Sequence, residues 1–246
     1  MRRPLNEIDV VLLAGGRGTR LAPYTTVLPK PLMPIGEMPV LEILLRRLAV
    51  AGFRRVHLAV GYLAELIEAY FGDGSKWGLK LTYWREDEPL GTAGPLAVIE
   101  TSAEHLLVMN GDLFTVLDFG DLIDYHVNRG VTATIAILRR EVPVEFGVIH
   151  LDGDLIVGYE EKPTLSYDVS MGVYAFERDV LEVIPKDRHF DFPELVWALM
   201  AAGKPVASYR STEFWLDIGR REDYELAQER FEELRPALLG EEQPPT

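Results

Sequence analysis

Residues 10–32 read VVLLAGGRGTRLAPYTTVLPKPL. The apolar run 10–14 has the composition of a buried strand, and it passes without a spacer into Gly15-Gly16-Arg17-Gly18. A strand that ends in glycines delivers the next amides to the carboxyl edge of its sheet, where open α/β folds bind ligands. Without a Cβ, those residues let backbone N–H groups touch an anion. Arg17, Arg20 and Lys30 follow, no acid lies between Gly15 and Lys30, and Pro29 and Pro31 restrict the backbone on either side of the lysine. Neither of two familiar phosphate motifs is met. A P-loop needs Gly-Lys-Ser/Thr after its glycines, and a dinucleotide fingerprint needs a third glycine opening a helix, whereas Pro23 and Pro29 keep this segment irregular.

Outward from this stretch, short β-type runs alternate with helical periodicity. Strands are predicted at 9–14, 56–60, 79–84, 106–109, 131–138, 171–176, 206–209 and 215–218. Helices are predicted at 39–51, 63–71, around 93–101, and at 119–129, 192–202 and 220–234; Pro39 is placed at N1 of the first, and glycines follow several of their ends. Residues 146–150 and 155–159 flank Leu151-Asp152-Gly153-Asp154, a turn signature, and read as an inserted hairpin. The pattern predicts an α/β, Rossmann-like, mostly parallel open sheet flanked by helices, with a small β-hairpin. One domain over residues 1–235 is the simplest account, and 236–246, rich in proline, is expected to be a disordered tail.

The 246 residues carry a formal charge of −14, which opposes a broad nucleic-acid or acidic-membrane surface. An anionic ligand must therefore meet a local basic pocket, and 15–30 is where the chain offers one. No run approaches the roughly 18 apolar residues of a membrane span. The absence of cysteine excludes disulfides and thiolate metal sites and fits a cytoplasmic protein. None of the five histidines falls in a metal-ligand pattern.

Gly15-Gly16-x-Gly18-Thr19-Arg20-Leu21-x-Pro23 followed by Pro29-Lys30-Pro31 closely resembles the signature of the sugar-1-phosphate nucleotidyltransferases. Further landmarks of that family occur in order: Leu90-Gly91-Thr92-Ala93-Gly94, Asn110-Gly111-Asp112, Glu161-Lys162-Pro163, Met171-Gly172-Val173-Tyr174 and Trp215-Leu216-Asp217-Ile218-Gly219. The resemblance covers almost the whole chain and implies a glycosyltransferase-A-like three-layer sandwich. The reaction it implies is attack of a sugar-1-phosphate oxygen on the α-phosphorus of a nucleoside triphosphate, with release of pyrophosphate. Positioning and neutralisation of two anions are the main tasks of such chemistry.

On this resemblance Arg20 and Lys30 are the expected catalytic cations, Arg20 at the leaving phosphates and Lys30 at the α-phosphate. Nucleotide contacts are expected from Leu13, Ala14, Gly15, Gly16, Gly18, Thr19, Glu86, Gly91 and Thr92. Sugar-phosphate contacts are expected from Asn110, Gly147, Glu161, Lys162, Ser170 and Gly172. Asp112 and Asp217 are the expected ligands of Mg²⁺, which favours an all-oxygen shell of carboxylates, phosphates and water. The expected partners are thus an NTP and a sugar-1-phosphate, with no nucleic acid and no membrane; homo-oligomerisation stays open.

A carboxylate at Glu86 could accept from two donors of guanine but only one of a pyrimidine, which favours GTP; Asp87 and Glu88 offer the same chemistry beside it. The wording around Leu90 looks most like guanylyltransferases acting on mannose-1-phosphate. Ser170 stands where many relatives have Asn, so another hexose, heptose or cyclitol phosphate is open too. Uridylyl or thymidylyl transfer to glucose-1-phosphate, and a non-catalytic regulator that binds a sugar nucleotide, are the competing readings. A glycosyltransferase would need Asp-x-Asp at the strand end, and Asn110-Gly111-Asp112-Leu113 lacks the second acid.

Overall fold

A computed structural model describes residues 3–86, 88–186 and 188–241. Its strands are β1 (Asp9–Ala14), β2 (Pro34–Ile35), β3 (Met38–Pro39), β4 (Arg55–Val60), β5 (Lys80–Arg85), β6 (His105–Asn110), β7 (Leu113–Thr115), β8 (Ala133–Pro143), β9 (Val148–Asp152), β10 (Leu155–Glu160), β11 (Thr164–Glu177), β12 (Val206–Ser211) and β13 (Trp215–Asp217). Its helices are α1 (Val40–Ala51), α2 (Ala64–Phe71), α3 (Phe119–Arg129), α4 (Phe192–Ala201) and α5 (Arg221–Leu239). Among the described residues seven strands form one sheet in the order β12-β8-β11-β6-β1-β4-β5. Every neighbouring pair is parallel except the two made by β11, which runs antiparallel to β6 and β8.

β1 lies between β4 and β6, and Val10, Val11 and Leu12 are fully buried because both of its faces are covered. One core cluster packs α1, α2 and α3 on one face through residues such as Leu44, Ile67 and Leu122, while the other packs Leu195 and Leu199 of α4 with Phe176. A third cluster joins α1 to α5 through Ile43, Phe114 and Phe231. The predicted three-layer arrangement is present. α1 starts at Val40 with Pro39 as its N-cap, not at N1, because Met38 and Pro39 pair with Ile35 and Pro34. Gly52 closes it with a left-handed φ of 108°.

Three local expectations need correction. The short helix predicted around 93–101 is a 3-10 turn over Gly94–Val98, because the chain turns extended at Ile99 and leaves only five residues for it. β11 begins at Thr164, well before the predicted 171, because its first half pairs with an equally extended β8 beyond the core. α5 continues to Leu239, so the tail expected from 236 is helical at its start. Leu238 and Leu239 are buried in the third cluster, and this apolar anchor outweighs the hydrogen bond lost at Pro236. Residues 242–246 lie outside the described residues.

The hairpin β9–β10 is present, with Gly153 in a left-handed conformation at its turn. Among the described residues no helix is long and apolar enough to cross a membrane.

Candidate active site

The site is built at the carboxyl edge of β1, β4 and β6. β1 ends at Ala14, and its continuation is held from two sides: Gly111 N–H donates to Leu13 O at 2.8 Å, and Tyr62 N–H donates to Gly15 O at 3.2 Å. A Cβ on Gly61 would lie 3.0 Å from Gly15 O, so two glycine turns approach closely here. Gly61 was not among the predicted site residues, although it follows β4 much as Gly15 follows β1. Gly18 has φ +61°, and its carbonyl accepts from Leu21 N and from Thr25 Oγ1. Gly16 faces open space. Thr19 and Arg20 are exposed in a 3-10 turn, Thr19–Leu21, and Lys30–Leu32 forms another.

Lys30, in contrast, is only 8% exposed. Its ammonium forms an ion pair with Asp112 Oδ2 and lies 3.2 Å from Asp217 Oδ1. The two aspartates are remote in sequence but meet because β7, which follows Asp112, pairs antiparallel with β13, setting Leu113 opposite Asp217. Ile218 N–H then donates to Asp112 O at 3.1 Å. Burial raises the pKa of Asp112; Lys30 pulls it down and Asp217 pushes it up again, with a net upward direction. Asp112 Oδ1 is buried and finds no hydrogen-bond partner among the described residues. An orphaned carboxylate oxygen beside a second carboxylate fits a divalent ion with oxygen preference. A Cβ on Gly219 would lie 3.2 Å from Arg20 Nη2 and 3.3 Å from Asp217 Oδ1, so this glycine, too, makes room for the charged cluster.

The Glu86 carboxylate rests on Gly15, where a Cβ would come within 2.7 Å of Oε1. Its Oε2 accepts from Leu90 N–H at 3.1 Å. Burial raises the Glu86 pKa, and the Leu90 hydrogen bond offsets part of that rise. Asp87 lies outside the described residues, and Glu88 is exposed. Gly91 has φ +87° and packs against Phe190 O, where a side chain could not fit. Thr92 is already engaged: its N–H and Oγ1 both donate to Asp191 Oδ1, at 2.8 and 3.0 Å, and its Oγ1 accepts from Phe192 N. It therefore braces the start of α4.

The expected sugar side divides in two. Gly172, at φ +66°, lies against the Asn110 amide where β11 bulges, and its N–H donates to Ser170 Oγ at 3.2 Å. Asn110 pairs in register with Leu13, which brings this group to the same edge. Glu161 and Lys162 lie on the exposed arm next to the hairpin, Lys162 with a left-handed φ of 46°. The Tyr159 hydroxyl donates to Glu161 Oε2 at 2.8 Å and fills the space that a Cβ on Gly147 would need. Trp215 was not assigned a role, yet its Nε1–H donates to Met171 O at 2.7 Å, tying β13 to the bulge. His189, Asp191 and Glu194 could also surround a cation, but Asp191 and Glu194 form the capping box of α4 and Arg188 pairs with Glu194.

Fold and edge together define a Rossmann-like α/β protein with a glycine turn beside a lysine–carboxylate cluster. A family profile described as Nucleotidyl transferase matches residues 9–233, and the chain belongs to that family. It is 36% identical over 228 residues to a mannose-1-phosphate guanylyltransferase of Mycobacterium tuberculosis, covering 89% of this chain and 63% of the relative. It is 34% identical over 244 residues to a UTP–glucose-1-phosphate uridylyltransferase of Synechocystis, covering 88% and 61%. The chain thus spans somewhat under two thirds of these relatives' lengths. The structure of HddC from Yersinia pseudotuberculosis superimposes with a TM-score of 0.71 at 29% identity, over 91% of this chain and 99% of that one. HddC has also been solved in complex with GMP-PN.

Proposed function

We propose that the chain transfers a nucleoside monophosphate from an NTP, GTP first among them, to mannose-1-phosphate or a related sugar-1-phosphate. A sugar-phosphate oxygen forms a bond to the α-phosphorus, the bond from that phosphorus to the bridging oxygen breaks, and pyrophosphate leaves. The observation that carries this reading is the convergence of Lys30, Asp112 and Asp217 beside a glycine turn at the carboxyl edge of the sheet.

In this mechanism the amides of Gly15, Gly16 and Gly18 meet the phosphates, with Leu13, Ala14 and Thr19 shaping the same turn. Arg20 stabilises charge growing on the leaving pyrophosphate with its planar fork. Lys30 holds the α-phosphate and its attacker in line. Asp112 and Asp217 would hold Mg²⁺, which when bound supplies charge neutralisation at the phosphates. Lys162 binds the sugar phosphate, Glu161 accepts from sugar hydroxyls, and Asn110, Gly147, Ser170 and Gly172 line the route between them. Glu86 reads the base, with Gly91 allowing close packing behind it and Thr92 bracing that loop.

The guanine preference is supported by the name of the Mycobacterium relative and by the GMP-PN complex of HddC. The uridylyl alternative is favoured by the Synechocystis relative at nearly equal identity. A pyrophosphate-release screen with Mg²⁺, crossing GTP, UTP, dTTP, CTP and ATP against sugar-1-phosphates, should give its highest kcat/KM with GTP. Highest activity with UTP or dTTP would select the alternative, and no release with any pair would refute the enzyme reading.

A further inference from the structure

Lys30 stands between Asp112 Oδ2 and Asp217 Oδ1, in the gap that a divalent ion bridging these two oxygens would occupy. Its ammonium touches one carboxylate and lies 3.2 Å from the other. An ammonium and a divalent ion repel strongly at such separations, so both cannot occupy the gap. The backbone of Lys30 is fixed: Leu32 N–H donates to Pro29 O at 2.8 Å and Met33 N–H donates to Lys30 O at 3.0 Å. The Cβ of Lys30 packs 3.2 Å from the position a Cβ would take on Gly18. Movement is therefore left to the side-chain torsions, and the long flexible stem of lysine permits it.

We propose that Lys30 is the resident counter-ion of the Asp112–Asp217 pair and is released toward the glycine turn only when a divalent ion takes its place. The inference rests on the reading of those aspartates as metal ligands given above. Two consequences follow. Lys30 suppresses cation binding in the absence of nucleotide, because displacing it leaves its charge without a partner. Nucleotide phosphates give the displaced ammonium a new partner, so nucleotide and cation tighten each other's binding reciprocally.

The test is titration of Mn²⁺ into nucleotide-free protein, with free Mn²⁺ read by electron paramagnetic resonance. Lys30→Gln should bind Mn²⁺ at least about tenfold more tightly than the unmodified chain. Lys30→Met provides a second variant if the first is poorly folded, as judged by circular dichroism. Arg20→Gln removes a neighbouring charge without vacating the gap and should tighten Mn²⁺ by no more than about twofold to threefold. A non-hydrolysable GTP analogue should tighten Mn²⁺ far more in the unmodified chain than in Lys30→Gln. Equal affinity of Lys30→Gln and the unmodified chain, with Asp112→Asn still abolishing Mn²⁺ binding, would overturn the counter-ion role and leave the metal ligands standing. An equal gain from Arg20→Gln would also overturn it, since general charge would then explain the effect. Mn²⁺ binding that neither Asp112→Asn nor Asp217→Asn weakens would remove the metal reading, and this inference with it.

Discussion

Each end of β1 holds a carboxylate, buried at the base and half-buried at the site, and the two are treated in opposite ways. At the base, Asp9 is 3% exposed and accepts from Arg55 Nε, from His57 Nε2–H at 3.2 Å and from Thr101 Oγ1. Trp84 Nε1–H donates to His57 Nδ1 at 3.2 Å, which fixes the tautomer that donates to Asp9. Burial alone would raise the Asp9 pKa, but His57, Thr101 and Arg55 outweigh it and hold the carboxyl below its usual range. At the other end Asp112 has one strong partner, an unpartnered oxygen and a like-charged neighbour, and its pKa moves up. A saturated carboxylate fastens strands together, whereas an under-partnered one keeps capacity for a ligand. The sheet places these at opposite ends of β1, so that the open end is supported by a closed one.

That contrast can be broken most forcefully at the site. Asp112→Asn should lower kcat by about 10³-fold or more, a transition-state loss of roughly 4 kcal/mol, while the urea midpoint changes little; steady-state kinetics and urea unfolding measure both. Asp9→Ala should do the reverse. It should cost about 2–4 kcal/mol of stability, because three donors lose a buried acceptor, with kcat per folded molecule unchanged. A large activity loss in that variant at constant stability would dissolve the distinction between the two ends.

A third test uses pH. His126 is fully buried, bonded through Nδ1 to Thr134 Oγ1 at 2.9 Å and edge-on to His105 at 5.4 Å. Burial, helped by His105, lowers its pKa to about 4. The unfolded chain takes up this proton near pH 6.5 and the folded chain only near 4. Stability is therefore complete above about pH 6.5 and declines as pH falls toward 4, by up to about 1.4 kcal/mol per pH unit. Asp9 contributes no loss in that window, because even in the unfolded chain it protonates only near 3.8. Urea midpoints between pH 7.5 and 4.5 should show this slope, and His126→Leu should flatten it. The smallest expected effect sharpens the comparison at the Gly15–Gly18 turn. Gly15→Ala would press on Glu86 Oε1 and should raise the KM for nucleotide about tenfold while leaving the base of β1 untouched.

The layout of the open end was partly legible in the sequence. A six-residue apolar strand followed by glycines announces its own edge, and the helices declared themselves by period and by the glycines after their ends. β2, β3 and β7 are not predicted: each has only two or three residues, and none of them shows a β-type apolar pattern of its own. The reversed direction of β11 leaves no local signature, since alternation is the same in either sense. The Lys30–Asp112–Asp217 cluster is likewise non-local and depends on β7 meeting β13. The sequence suggested ligand contacts for Thr92 and Gly147; the structure adds packing duties at both, which type and spacing do not reveal.

The first half of β11 and the matching half of β8 project past the core as a two-stranded beam carrying the Lys162 segment near its tip. A cantilever moves most at its tip and transmits its bending moment to its root. Here the root is the bulge at Met171, and the Trp215 indole grips that carbonyl two residues before Asp217. The root of this beam is thereby tied, through one indole, to the strand that carries Asp217.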